Sequence, residues 1–145
     1  MPKTTMPAQP EEMEISDMDF IKKRVLIVDD VKVNRTVLIN ILSQTGVEII
    51  EANDGKEAIE IFMAESENID LILMDIMMPN MDGYEAARQI RASGLPKAQT
   101  VPIIAVTTRN YKEEAEAAIN SGMNYHLEKP VEPKMLLYTI RRFLL

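Results

Sequence analysis

A parallel β-sheet wrapped by helices on both faces, an α/β fold, is predicted by three features of this 145-residue sequence. Strand-like and helical patterns alternate five times with short connections. The runs RVLIV, IDLILM and PIIAV are apolar throughout, as strands covered on both sides should be. Two connections carry Asp-Gly-x-Glu (Asp54 to Glu57, Asp82 to Glu85), a capping pattern that opens a helix. Right-handed crossovers then leave few topologies. The five-stranded flavodoxin-like order 2-1-3-4-5, doubly wound and carrying five helices, is the most common of them.

The first 19 or so residues hold three prolines and five acids with little apolar periodicity. Residues 1–21 are read as a flexible N-terminal tail or linker, and 22–145 as the folded domain. RVLIVDD is the first strand. VNRTVLINILSQTG follows as a helix, with apolar residues at Val33, Val37, Leu38, Ile41 and Leu42 and a stop at Gly46. VEIIEA is the second strand, and Asp54 opens a helix reaching about Ala64. IDLILMD is the third strand, and Asp82 caps the helix EAARQIRAS. TVPIIAVT is the fourth, followed by a cap at Asn110-Tyr-Lys-Glu113 and the helix EEAEAAINSG. NYHLEK is a short fifth strand, and Pro133 starts the closing helix PKMLLYTIRRFLL.

Composition narrows the function classes. With no cysteine there is neither a disulfide framework nor a thiolate metal site, and one histidine rules out a multi-histidine centre. A reducing cytoplasm is the expected setting. No apolar run approaches the roughly 20 residues of a membrane span, and MPKTTMPAQPEEME lacks a signal-peptide core. The sequon Asn34-Arg35-Thr36 is accordingly read as accidental. A formal charge of −7 argues against direct nucleic-acid binding and against anionic membranes.

In such sheets ligands gather beyond the C-terminal strand ends, where strand order reverses. Strand one ends in Asp29 and Asp30, strand three in Asp75, strand four in Thr107 and strand five in Lys129. Alone, each acid reads as a turn-former or helix cap. Together, three converging carboxylates repel one another unless a cation neutralises them, and an oxygen-only ligand set suits Mg²⁺ better than zinc. Three acids, a lysine and a hydroxyl suit phosphoryl transfer. The metal and Lys129 would neutralise phosphoryl oxygens, Thr107 would donate a hydrogen bond, and Asp75 would be the nucleophile. A Walker glycine loop is absent, so the phosphate would rest on metal, lysine and hydroxyl rather than on a nest of amides. Met74, Met77, Met78 and Met81 cluster around this place and are read as core filling.

On LIVDD (26–30), LILMDIMMPNMDG (71–83), the threonine ending IIAVT (103–107) and Lys129-Pro130, the chain resembles a response-regulator receiver domain of two-component signalling. The resemblance covers roughly Lys22 to Leu145. It implies that Asp75 is the phosphoacceptor. It implies that Asp30 and Asp75 ligate Mg²⁺ directly, with the backbone carbonyl of Met77, while Asp29 acts largely through water on the ion. Thr107 corresponds to the hydroxyl that contacts the phosphoryl group and shifts on activation, and Lys129 to its cationic partner. The bond before Pro130 is expected to be cis.

Three positions depart from the family pattern. His126 stands where the family has a Tyr or Phe that changes rotamer; it is read either as a half-buried core histidine or as the switch residue. Thr108 follows Thr107 where a smaller residue is common. Arg109 occupies a position expected to tune phosphoryl lifetime.

The expected partners are a histidine kinase or histidine phosphotransfer domain and an unknown downstream protein. The receiver is expected to be a monomer or weak dimer without membrane insertion, and not an enzyme beyond its own phosphorylation and dephosphorylation. Its output face is expected on the fourth helix, fifth strand and fifth helix, with no output domain after Leu145. VDDVKVNRTVL also resembles receivers of hybrid histidine kinases, so a fragment of a longer protein is an alternative. Two further alternatives are an FMN carrier and a haloacid-dehalogenase-like aspartyl phosphatase. The acids of DDVKVNR disfavour the first; the second needs its aspartate on strand one and an acid where Met77 stands.

Overall fold

The computed structural model describes residues 20–108 and 111–144. Residues 1–19 of the tail, the proposed tuning residue Arg109, the cap at Asn110 and Leu145 lie outside them.

Five parallel strands form one sheet in the order β2-β1-β3-β4-β5. They are β1 (Arg24–Val28), β2 (Glu48–Ala52), β3 (Leu71–Asp75), β4 (Ile103–Thr107) and β5 (Tyr125–Glu128). The helices are α1 (Lys32–Leu42), α2 (Gly55–Glu65), α3 (Gly83–Arg91), α4 (Tyr111–Asn120) and α5 (Pro133–Leu144). The expected topology is therefore the observed one.

The period-2 geometry of the strands explains their apolar runs. Leu26 and Val28 of β1, Ile72 and Met74 of β3, and Ile103 and Ala105 of β4 face one core with Phe62, Ala86 and Ile90. Their neighbours Val25, Ile27, Leu71, Leu73, Ile104 and Val106 face the other core with Leu38, Leu42, Leu136 and Ile140. Phe20, ahead of the boundary read at Lys22, is 4% exposed in this second core, and its amide donates to the Thr45 carbonyl at 2.9 Å.

Both Asp-Gly-x-Glu caps form. The Asp54 carboxylate accepts from the Glu57 amide at 2.8 Å, and Asp82 accepts from the Glu85 amide at 2.9 Å. Helix α1 ends in a 3₁₀ turn over Ser43–Thr45, after which Gly46 takes the left-handed φ of 82°.

The expected apolar face of α1 is met in part: Leu38 and Leu42 are buried and Ile41 packs against the core. Val33 and Val37 are 69% and 47% exposed, while the buried stripe is Arg35, Leu38 and Leu42. An arginine, rather than Val33, completes the inward stripe.

Candidate functional site

The register of the sheet decides where the site falls. Val28 lies opposite Met74, and Asp75 lies opposite Val106, so the ends of β1, β3 and β4 share one edge. Asp75 and Thr107 are the last residues of their strands, as expected. Asp29, Asp30 and Lys129 lie one or two residues beyond theirs, because β1 stops at Val28 and β5 at Glu128. Each of the two strands makes one further backbone bond past its last residue before the chain turns; in β1 the Asp29 amide donates to the Ala52 carbonyl at 3.2 Å.

One carboxylate oxygen from each of Asp29, Asp30 and Asp75 lies within 4.8 Å of the others. Asp29 and Asp75 are buried at 2% and 6% exposure, and Asp30 is exposed. Lys129 reaches across 100 residues of sequence: its Nζ donates to Asp29 Oδ2 at 2.9 Å and lies 3.4 Å from Asp75 Oδ1. The peptide Lys129–Pro130 is cis, as expected, and the Lys129 amide donates to the Thr107 carbonyl at 2.9 Å, tying β5's exit to β4's. Thr107 is fully buried beside this edge.

Burial pushes the Asp75 carboxyl up to about 6, and the negative charge of Asp29 adds to the rise; Lys129 opposes both. For Lys129, burial alone would lower its value. The hydrogen bond to Asp29 and the charges of Asp75 and Asp29 outweigh that, and the ammonium is held above its usual range. The cluster thus carries more negative charge than its one lysine balances. That imbalance, with oxygen donors from three carboxylates, fits a hard divalent cation of the Mg²⁺ type.

The turn after Asp75 is tightly built. The Gly83 amide donates to the Ile76 carbonyl at 2.9 Å, and a Cβ on Gly83 would stand 2.3 Å from the Asp75 carbonyl oxygen. Only glycine permits this approach of α3 to the exit of β3. Asn80 takes a positive φ of 71° in the same loop. Of the four methionines read as core filling, Met74 and Met78 are buried and Met81 packs against the core, whereas Met77 is 54% exposed beside the site. His126 is half-buried on β5, opposite Ala105 of β4. Thr108 is exposed.

Two contributors escaped the sequence reading. Gly83 was read only as part of a capping pattern. Arg35 was passed over within a helix, although it stands three residues before Leu38 and seven before Leu42, a spacing that marks the inner stripe.

Comparison with known proteins agrees with this geometry. The family model for the response regulator receiver domain matches residues 25–141. The fold and the acid cluster define a phosphorelay signalling module, and the chain belongs to the response regulator receiver domain family. It is 42% identical over 116 residues to the CAI-1 autoinducer sensor kinase/phosphatase CqsS of Vibrio cholerae, covering 80% of this chain and 16% of that protein. The first curated relatives are thus several times longer than this chain.

Among solved structures, the receiver domain of sensor histidine kinase PA1611 from Pseudomonas aeruginosa, with magnesium in its active-site cleft, aligns at a TM-score of 0.74. The two share 35% identity, over 84% of this chain and 97% of that one. The receiver domain of Ssk1 from Saccharomyces cerevisiae, crystallised with the histidine phosphotransfer protein Ypd1, aligns at 0.75 with 32% identity, over 86% and 90%. The FMN-carrier and aspartyl-phosphatase alternatives give way to the receiver assignment. Among the described residues, no helix is long and apolar enough to cross a membrane.

Proposed function

We propose that the chain accepts a phosphoryl group on Asp75 from a phosphohistidine of a histidine kinase or phosphotransfer domain. The observation that carries this reading is the convergence of three carboxylates within 4.8 Å, with Lys129 in contact with two of them. Asp29, Asp30 and Asp75, with the Met77 backbone carbonyl, would hold Mg²⁺. When bound, the ion supplies positive charge against the phosphoryl oxygens and lets the clustered carboxylates stay ionised.

An ionised Asp75 oxygen attacks phosphorus while the P–N bond to the donor imidazole breaks, and the electron pair leaves with the nitrogen. The product is an acyl phosphate. Lys129 pairs with a phosphoryl oxygen, and the Thr107 hydroxyl donates to another. Attack of water on the acyl phosphate returns the carboxylate and inorganic phosphate. Thr107 and His126, on neighbouring strands and two residues apart in register, would carry the change to the surface of α4, β5 and α5, where an unidentified protein reads it. The PA1611 receiver supports the choice of cation, and the Ssk1–Ypd1 complex supports a phosphotransfer protein as partner. The similarity to sensor kinases supports a place within a longer signalling protein.

Incubation with Mg²⁺ and acetyl phosphate tests the reading. Intact mass should rise by one phosphoryl group, and Asp75→Asn should abolish the gain. An unlabelled wild type, under conditions that label another receiver, refutes it.

A further inference from the structure

Arg35 is the buried charge that the proposed chemistry leaves without a role. Its side chain is 8% exposed. A guanidinium so placed is tolerated only where its donors are satisfied. It bridges two elements: Nε donates to Glu51 Oε1 of β2 at 2.8 Å, and a terminal nitrogen donates to the main-chain carbonyl of Asp29 at 2.7 Å. That carbonyl belongs to the peptide joining Asp29 to Asp30, two of the three clustered acids.

The other bonds at the turn from β1 into α1 run through the Asp29 amide, which donates to the Ala52 carbonyl at 3.2 Å, and through its carboxylate, whose Oδ1 lies 3.5 Å from Asn34 Nδ2. The N-cap of α1 is Val31, which offers no side-chain cap. The Val31 amide is taken up by Asp29 Oδ1 at 2.9 Å, and Asp29 Oδ2 by Lys129. Thus the carboxylate that helps to shape the turn also serves the cation site and lysine. Arg35 holds the same peptide through its carbonyl, a contact that makes no demand on the carboxylate. Glu51 cancels the charge of Arg35, so the residue orients the site with little addition to its potential.

We propose that Arg35 is a positioning residue that fixes the Asp29–Asp30 peptide so that both carboxylates face Asp75 and pre-form the divalent-cation site. The proposal rests on the functional reading above. Its consequence is specific to metal affinity. A buried ion pair can often be replaced by apolar side chains without loss of stability, whereas loss of a residue that orients ligands weakens metal binding by about 10-fold or more.

The test is Mg²⁺ titration by calorimetry on wild type, Arg35→Met and Arg35→Lys, with thermal unfolding of each in EDTA. Arg35→Lys retains a charge for Glu51 but lacks the fork that reaches both partners. The expected result is a Kd raised about 10-fold in the folded variants, with acetyl-phosphate labelling restored by excess Mg²⁺. A Kd within about twofold of wild type in either folded variant overturns the role, whatever happens to the melting temperature. If Arg35→Met does not fold, the lysine variant decides. A wild-type chain that binds no Mg²⁺ overturns the functional reading and this proposal together, whereas equal binding by wild type and variants overturns this proposal alone.

Discussion

Replacing Asp75 with asparagine should stabilise the metal-free domain while abolishing phosphorylation. The carboxyl rises from 3.8 to about 6, chiefly through burial and then through the charge of Asp29. Each unit corresponds to about 1.4 kcal/mol, so the ionised form carries a penalty of up to about 3 kcal/mol in the folded state. Two features reduce what asparagine recovers: the side chain borders the exposed Asp30, where water screens the field, and the variant gives up its ion pair with Lys129 at 3.4 Å. A net gain of about 1–2 kcal/mol remains, equivalent to a rise in melting temperature of about 4–8 °C for a domain of this size. The sign with pH follows from the direction of the shift. Because the folded-state value lies above the ordinary one, the penalty is complete above about 6 and is relieved as pH falls from there toward 3.8. Thermal unfolding in EDTA should therefore show the variant's advantage at neutral pH and its loss on acidification. Mg²⁺ should stabilise wild type more than the variant. A variant less stable than wild type at neutral pH without metal would refute the view that Asp75 is held ionised against its surroundings.

Gly83→Ala sets a Cβ 2.3 Å from the Asp75 carbonyl oxygen and 3.0 Å from Ile76 Cα, both backbone atoms that cannot swing aside. It should cost about 1–3 kcal/mol in urea unfolding and slow acetyl-phosphate labelling; wild-type values for both would show that the loop accommodates the methyl group. Phe20→Ala should cost about 3 kcal/mol, since the ring is buried in the core lined by α1 and α5. Its neighbour Ile21, 64% exposed, should tolerate alanine with a change under about 0.5 kcal/mol. A loss below about 1 kcal/mol at Phe20 would place the ring outside the cooperative core.

Strand order and the edge carrying the acids were legible because two-sided burial writes itself into the sequence as unbroken apolar runs. The strand β3, buried at every position, could not have been an amphipathic element. Where runs end was less legible. In β1 and β5 the regular strand stops one residue before Asp29 and Lys129, and that stop depends on partners in other strands rather than on local composition. The inner face of α1 was legible only in part for the same reason. Apolar spacing picks out Leu38, Ile41 and Leu42, which pack inward, together with Val33 and Val37, which are exposed, and it omits Arg35. Arg35 is buried because Glu51 and the Asp29 carbonyl are present to receive it, and both lie outside the helix. A periodicity count treats arginine as polar and has no means of seeing that acceptors await it.

The same contacts separate the acids that sequence alone presents as equivalent. Asp29 is engaged at every polar group: its amide donates to Ala52, its carbonyl accepts from Arg35, and its carboxylate oxygens accept from Val31 and Lys129. Asp75 has a long 3.4 Å contact to Lys129, whose shorter bond goes to Asp29. A nucleophile needs a lone pair that is not committed to a strong donor, and a ligand that shapes a site needs the opposite. The contacts of Asp29 suit the organising role, and the long contact of Asp75 to Lys129 suits the reacting role, that the proposed phosphoryl transfer assigns to them. Burial first and the charge of Asp29 second raise the Asp75 carboxyl, and its long contact to Lys129 only partly offsets them.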